Sequence, residues 1–253
     1  MKTWIVTSTL TFAPENYNGL ILPLAKHPDV AGLVMVENRT FAFFFKGVLL
    51  FFSGLAPRLG WNIMKNSLKP RIQERIKSYV TSGKQALVVS NIHAREVLQR
   101  LEQEQPDLIV NARTRVFFKS ALLKIPKLGC INIHHGLLPD QRGLMCDLWA
   151  RLDHQQSGFS IHQMTPQLDD GKILRSQIVS EKEGPRQATY LNYMESLKLS
   201  TNLELQTLSE VLSEISAAHQ VVGKENKASP LTLYRKNPSV FEFVRLRRQG
   251  VKI

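Results

Sequence analysis

Gly129-Cys-Ile-Asn-Ile-His-His-Gly-Leu-Leu-Pro139 is the stretch on which the fold turns. Gly129–His134 reads as a strand, and strand side chains alternate. Asn132 and His134 therefore share one face while Ile131 and Ile133 share the other. Upstream, Leu108–Ala112 reads as a short buried strand. It follows the helix Ala94–Glu104, whose Val97, Leu98 and Leu101 lie on one side and which Pro106 ends. Further back come the strand Ala86–Ser90, the helix Arg71–Ser82, the strand Val30–Val36, the helix Asn18–His27 and a first strand at Trp4–Ser8. Downstream, a helical turn at Lys119–Leu123 precedes the quoted strand. After it come a long loop, the helix Met145–Asp153 and the strands Phe159–Gln163 and Ile173–Val179. Apolar strands alternating with amphipathic helices predict an α/β fold: a Rossmann-like, open, mostly parallel sheet with helices on both faces.

The last part differs. Thr189–Ala217 predicts one long helix or a helical pair. A strap runs from Ser229 and closes with the basic helix Val240–Arg248, with Gly250 as its stop. Two units follow: a catalytic domain over 1–183 and a small helical C-terminal extension with a basic tail over 184–253.

A chain of 253 residues, 43% hydrophobic and 21% charged, suits a globular domain with a modest appendage and excludes a disordered or collagenous class. The two cysteines, Cys130 and Cys146, lack metal-ligand spacing and read as buried thiols, so no metal site is expected. Polar residues interrupt the start after two apolar positions, which argues against a secretory signal and for a cytoplasmic location. The net charge of +12 gathers at Lys65–Lys77 and Arg235–Lys252. Such clusters fit a phosphorylated substrate, nucleic acid, an anionic membrane or simply a solvated face. Phe41–Leu55 (FAFFFKGVLLFFSGL) is too short to span a bilayer, which needs roughly 20 apolar residues. It reads as a helix of the domain, with a peripheral, interfacial placement as the alternative.

The chemistry concentrates at the quoted strand. Ligands of open parallel sheets bind beyond the carboxyl ends of the strands. A strand ending in Asn-x-His presents an amide donor and an imidazole there, the groups acyl transfer needs. A fixed donor at the developing oxyanion contributes roughly 2.7–4 kcal/mol, and an imidazole that manages the proton about 10²–10⁴ in rate. Downstream, Gly158-Phe-Ser-Ile-His-Gln-Met-Thr-Pro-Gln-Leu-Asp-Asp-Gly-Lys-Ile173 delivers His162 on a strand and Asp169 and Asp170 on a loop. A carboxylate near an imidazole raises its pKa and fixes its tautomer.

These two segments resemble the formyltransferase family that includes methionyl-tRNA, glycinamide ribonucleotide and sugar-nucleotide N-formyltransferases. The pattern is met by Asn132, His134, Gly136, Leu137, Leu138, Pro139 and Gly143, then by Gly158, Ser160, His162, Leu168, Asp169, Gly171 and Ile173. The likeness is good over Lys84–Ser180 and loose elsewhere. It implies a catalytic trio of Asn132, His134 and Asp169, and 10-formyltetrahydrofolate as donor. It places the pterin against Arg115, Val116, Phe117 and Phe118, with Thr165–Asp169, including Leu168, closing the other side. His162, Gly136 and Gly143 would face the substrate, and the Leu138–Pro139 bond would be cis. His135 departs from the pattern and, on the face opposite His134, reads as non-catalytic. The loop Thr9–Gly19 lacks the Gly-rich phosphate cradle of the glycinamide ribonucleotide enzymes, which argues against that substrate.

The leading expectation is formyl transfer to a primary amine of a small acceptor, an amino sugar carried on a nucleotide or a lipid. One alternative is a methionyl-tRNA formyltransferase, favoured by the basic charge; against it, the residues after Ser180 read as helix and strap and not as the usual β-barrel domain. Another is a formyltetrahydrofolate hydrolase. The acceptor's contacts are expected from Thr9–Gly19, Asn38–Asn66 and Gln141–Cys146.

Overall fold

Short, near-continuous apolar runs, buried on both faces, build the central sheet. Its strands are β1 (Thr3–Ser8), β2 (Val30–Val36), β3 (Gln85–Val89), β4 (Leu108–Asn111), β5 (Cys130–His134), β7 (Ser157–Gln163) and β8 (Ile173–Ser180). The structure is a computed structural model that describes residues 1–10, 14–114 and 116–253, with residues 14–16 through their backbone alone. The strand order is β3-β2-β1-β4-β5-β7-β8. The first five strands run parallel, and β7 and β8 are antiparallel to their neighbours.

Alternation sends neighbouring side chains to different layers. Ile5, Leu33, Val110, Ile131 and Ile161 meet α1 (Pro14–Leu24), α4 (Ile72–Thr81) and α9 (Tyr193–Ala218) in one core cluster. Trp4, Val6, Val34 and Ile109 meet α5 (Arg95–Glu104) and α6 (Ser120–Leu123) in another on the opposite face. The expected Rossmann-like sheet with helices on both faces is therefore present. The helical C-terminal region is present too, as α8 (Gln187–Leu191), α9 and α10 (Val240–Arg248). Leu208, Val211, Leu212 and Ile215 of α9 lie in the same core as the sheet.

Two features were not foreseen. Pro57 reads as the end of the aromatic run, yet it is the first residue of a further helix, α3 (Pro57–Leu68), where a proline's missing N–H costs nothing. With α2 (Phe41–Phe52), α3 forms a helical hairpin. A side chain at Gly60 would lie 2.5 Å from the Phe51 nitrogen and 2.6 Å from the Gly47 oxygen; only glycine allows this approach. The second is a two-stranded parallel sheet of β6 (Gln141–Gly143) and β9 (Leu233–Arg235). It ties the strap to the loop after β5, beside α7 (Cys146–Leu152).

Leu212 is fully buried where α9 meets the sheet. Leu212→Ala should cost about 2–5 kcal/mol in denaturant unfolding of the whole chain. A loss confined to melting of α9, with the sheet unaffected, would show that this helix is not part of the common core.

Candidate active site

β5 ends in the middle of the sheet, between β4 and the antiparallel β7. Register pairs Asn111 with Asn132 and Asn132 with His162, so three polar side-chain positions form a row across adjacent strands. The Nδ1 of His162 lies 2.8 Å from the Gln163 carbonyl oxygen. A carbonyl only accepts, so Nδ1 carries the hydrogen and Nε2 is left as an acceptor. The Asn132 amide nitrogen lies 3.0 Å from that Nε2 and donates to it. The tautomer of one histidine thus sets the orientation of the amide. Burial, reinforced by His134, lowers the His162 pKa to about 4, which keeps the ring neutral and this pattern intact near pH 7.

His134 is held in the same way. Its Nε2 lies 2.7 Å from the Gln141 carbonyl and must donate to it. Its Nδ1 therefore faces Asp169 Oδ1 at 3.5 Å, and the same oxygen stands 3.6 Å from His162 Nε2. The other carboxylate oxygen accepts the Gly143 backbone N–H at 2.9 Å. Asp169 has a positive φ of 51°, a conformation that costs a non-glycine residue on the order of 1–3 kcal/mol unless its surroundings hold it. The Asn226 side chain supplies the hold, donating to the carbonyls of Asp169 and Gly171 at 2.9 Å each. Arg142 adds a second clamp. It is 1% exposed, donates to the backbone and side-chain oxygens of Asn226, and pairs with Asp170 at 3.0 Å. Gly143 has φ +99°, and a Cβ there would fall 2.1 Å from the Arg235 carbonyl oxygen of β9. The Leu138–Pro139 bond is cis.

These groups open onto a cavity of about 220 Å³. Asn132, His134, His162, Gly143 and Asp169 line it. Val116, Phe117 and Phe118 line it with apolar surface, and Thr165, Leu168 and Asp169 of the segment expected to close the other side line it too. Phe118 also belongs to the core, so it both packs and lines, whereas Phe117 is half exposed. Arg115 lies outside the described residues. Gly136 packs against the imidazole: a Cβ there would be 2.5 Å from His134 Nε2.

Sequence reasoning missed a second polar group at the inner end of the cavity. Glu204 of α9 is fully buried and is gripped by Arg113, with contacts of 2.9 and 2.6 Å, and by Ser200 at 2.5 Å. His135 Nε2 stands 3.1 Å from the same carboxylate, and its Nδ1 3.9 Å from Asp147. Burial alone would raise the Glu204 pKa, but Arg113 and His135 hold it down at about 2. For His135 burial opposes the charge, but Glu204 and Asp147 outweigh it and raise the pKa to about 9. His135, Asp147, Arg113 and Tyr193 all line the cavity. Glu204 had no signal beyond a helical glutamate on an amphipathic repeat; Arg142 could have been suspected from its place inside the Pro139–Gly143 loop.

The arrangement offers an oriented amide, a paired imidazole and a carboxylate around one partly open cavity with apolar walls. That is a setting for acyl transfer. The sequence profile of the formyl transferase family matches residues 65–190. A methionyl-tRNA formyltransferase of Ehrlichia ruminantium (strain Gardel) is 36% identical over 135 residues, covering 53% of this chain and 43% of that protein. The bifunctional polymyxin resistance protein ArnA of Wigglesworthia glossinidia brevipalpis is 33% identical over 94 residues, 37% of this chain and 14% of that protein. The chain thus spans less than half the length of these curated relatives. Among solved structures, a sugar N-formyltransferase from Shewanella sp FDAARGOS_354 shares the fold with TM-score 0.56 and 18% identity, over 98% of this chain and 87% of that one. Glycinamide ribonucleotide transformylase 1 from Symbiobacterium toebii does so with TM-score 0.56 and 17% identity, over 89% and 92%.

His135 carries a folded-state pKa above its ordinary value of 6.5, so its contribution to stability is complete below pH 6.5 and is lost as pH rises through about 9. Denaturant unfolding across that window should show stability falling with pH, and His135→Gln should flatten that part of the profile. An unchanged slope in His135→Gln would refute the assignment. Separately, Asn226→Ala should lower stability by about 1–3 kcal/mol through its unpaired carbonyls and guanidinium, and should lower turnover more than ligand binding, measured by denaturation and steady-state kinetics.

Proposed function

Because the chain belongs to the formyl transferase family through residues 65–190, we propose that it transfers a formyl group from 10-formyltetrahydrofolate to a primary amine on a small acceptor. The observation that carries this reading is the meeting of Asn132, His134 and Asp169 on one cavity with apolar walls. Members of this family are transferases that move formyl groups.

The residues present fit the donor. Val116, Phe117 and Phe118 on one side and Leu168 on the other offer apolar surface to a flat heteroaromatic ring, the kind of lining that small-molecule sites use. When bound, the folate supplies an activated formyl carbonyl. The protein's own groups do the rest. Asn132 spends one amide N–H on His162 and can offer its second to an oxygen that gains negative charge. His134 has its Nε2–H committed to Gln141, so Nδ1 is the atom that takes up or returns a proton. Asp169 stabilises the imidazolium that results and orders the path by which an amine's proton leaves. The apolar walls strengthen each of these electrostatic effects by lowering the local dielectric.

An amino sugar is the acceptor we favour, carried on a nucleotide or a lipid. It is supported by a fold that nearly the whole chain shares with a sugar N-formyltransferase and by the Asp169 carboxylate on the cavity, which can receive the proton that an attacking amine gives up. A second reading is methionyl-tRNA formylation, favoured by the curated relatives and by the net charge of +12.

Purified protein should convert 10-formyltetrahydrofolate to tetrahydrofolate only when a suitable amine is supplied, with amino-sugar nucleotides tested beside methionyl-tRNA. His134→Ala and Asn132→Ala should each lower kcat by about 10²–10⁴. Wild-type rates in either variant would defeat the catalytic roles. Formate release without any amine would instead mark a hydrolase.

A further inference from the structure

The α2–α3 hairpin exposes apolar side chains that the proposed reaction does not use. On α2, Phe41, Phe45, Leu49 and Phe52 are 77%, 52%, 61% and 77% exposed. Their spacing of four, four and three residues puts them on one side of the helix. On α3, Arg58, Trp61, Lys65 and Leu68 are all exposed and also follow a helical repeat, so cations and apolar residues alternate along one stripe. Trp61 lies 5.9 Å from the Phe51 ring, which in turn packs on Phe52 at 5.2 Å, so the two stripes join.

The hairpin has a firm base beneath this surface. Leu59 and Ile63 of α3 are buried with Phe243 and Leu246 of α10 and Leu148 of α7. The Arg247 guanidinium of α10 donates to the Gly54 carbonyl in the turn between α2 and α3, which brings the basic C-terminal helix beside the aromatic one. From Arg39 to Pro70 the chain carries five cations, Arg39, Lys46, Arg58, Lys65 and Lys69, and no Asp or Glu. Each of the five is exposed.

That charge decides between occupants. A second copy of the chain would bring two sets of uncompensated cations together around the aromatic contact. A membrane-spanning role is excluded for this helix: twelve residues extend about 18 Å, against roughly 30 Å of hydrocarbon, and no described helix is long and apolar enough to cross a bilayer. An anionic lipid surface meets both requirements, offering hydrocarbon for the rings and phosphates for the cations. We propose that the α2–α3 hairpin, with the flanking basic face of α10, docks this protein on an anionic bilayer in the plane of its surface. Met145 packs against the buried base of the hairpin and also lines the cavity, so the docked face lies next to the site. The docking does not depend on the identity of the reaction.

The test is sedimentation of the full chain with phosphatidylglycerol–phosphatidylcholine vesicles and with pure phosphatidylcholine vesicles, at low and high salt. Binding to the anionic vesicles is expected, weakening with salt. Phe45→Glu and Leu49→Glu should each reduce it by at least about tenfold, since each removes an apolar side chain from the hydrocarbon. Lys46→Glu and Lys65→Glu should each cost about fivefold or more and flatten the salt dependence. All four positions are exposed; unchanged circular dichroism and thermal unfolding will confirm that the variants fold. The proposal is overturned by absence of binding at low salt, by equal binding of the Phe45→Glu and Leu49→Glu variants, or by a dimer that Phe45→Glu dissolves while vesicles leave it intact.

Discussion

The position of one carboxylate governs the site. Asp169 sits on a loop in a left-handed conformation, and its two oxygens are divided between a backbone N–H at Gly143 and the space shared by His134 and His162. The hold comes from Asn226, far along the chain, and from the buried Arg142 that joins Asn226 to Asp170. The strap after α9 is therefore part of the site: it clamps the loop, and through β9 it pairs with the strand that carries Gly143. A loop so held presents its carboxylate at a fixed distance, which is what a proton-handling group requires.

The two histidines are ordered by the same logic. Each gives one ring hydrogen to a backbone carbonyl, Gln141 for His134 and Gln163 for His162, and the remaining nitrogen has its role imposed. For His162 that role is to accept from Asn132. At the inner end of the cavity, His135 and Glu204 form a pair of opposite character, charged where His162 is neutral. His135 differs from His162 because α9 places the buried Glu204 carboxylate against it.

The sheet was legible in the residues because its strands are short apolar runs bounded by Pro, Gly and polar clusters. Val30–Val36 and Val240–Arg248 match the observed elements end to end. Asn132 and His134 stand out at a strand tip and Asp169 beside Asp170 on a loop, while the choice of Asp169 between the two comes from the resemblance to the formyltransferase family. What was not legible depends on long-range contact. Pro57 reads locally as a stop, and only the packing of Leu59 and Ile63 reveals the helix it begins. Asn226 sits in a polar stretch with no periodicity, and its importance comes from two carbonyls more than fifty residues away. Glu204 looks like an ordinary surface glutamate of a helix until Arg113 and His135 are seen around it. The closeness of Gly136 to the His134 ring is another contact that its place in a motif does not reveal.

The central claim is that the cavity beside Asn132, His134 and Asp169 is where a folate donor meets its acceptor. A crystal structure of the protein with a non-reactive reduced-folate analogue tests it most directly. The account predicts the ring between the Val116–Phe118 wall and Leu168, with the one-carbon end within hydrogen-bonding reach of Asn132 and His134. A ring bound elsewhere, with that cavity empty or its three polar side chains turned away from the ligand, would contradict it.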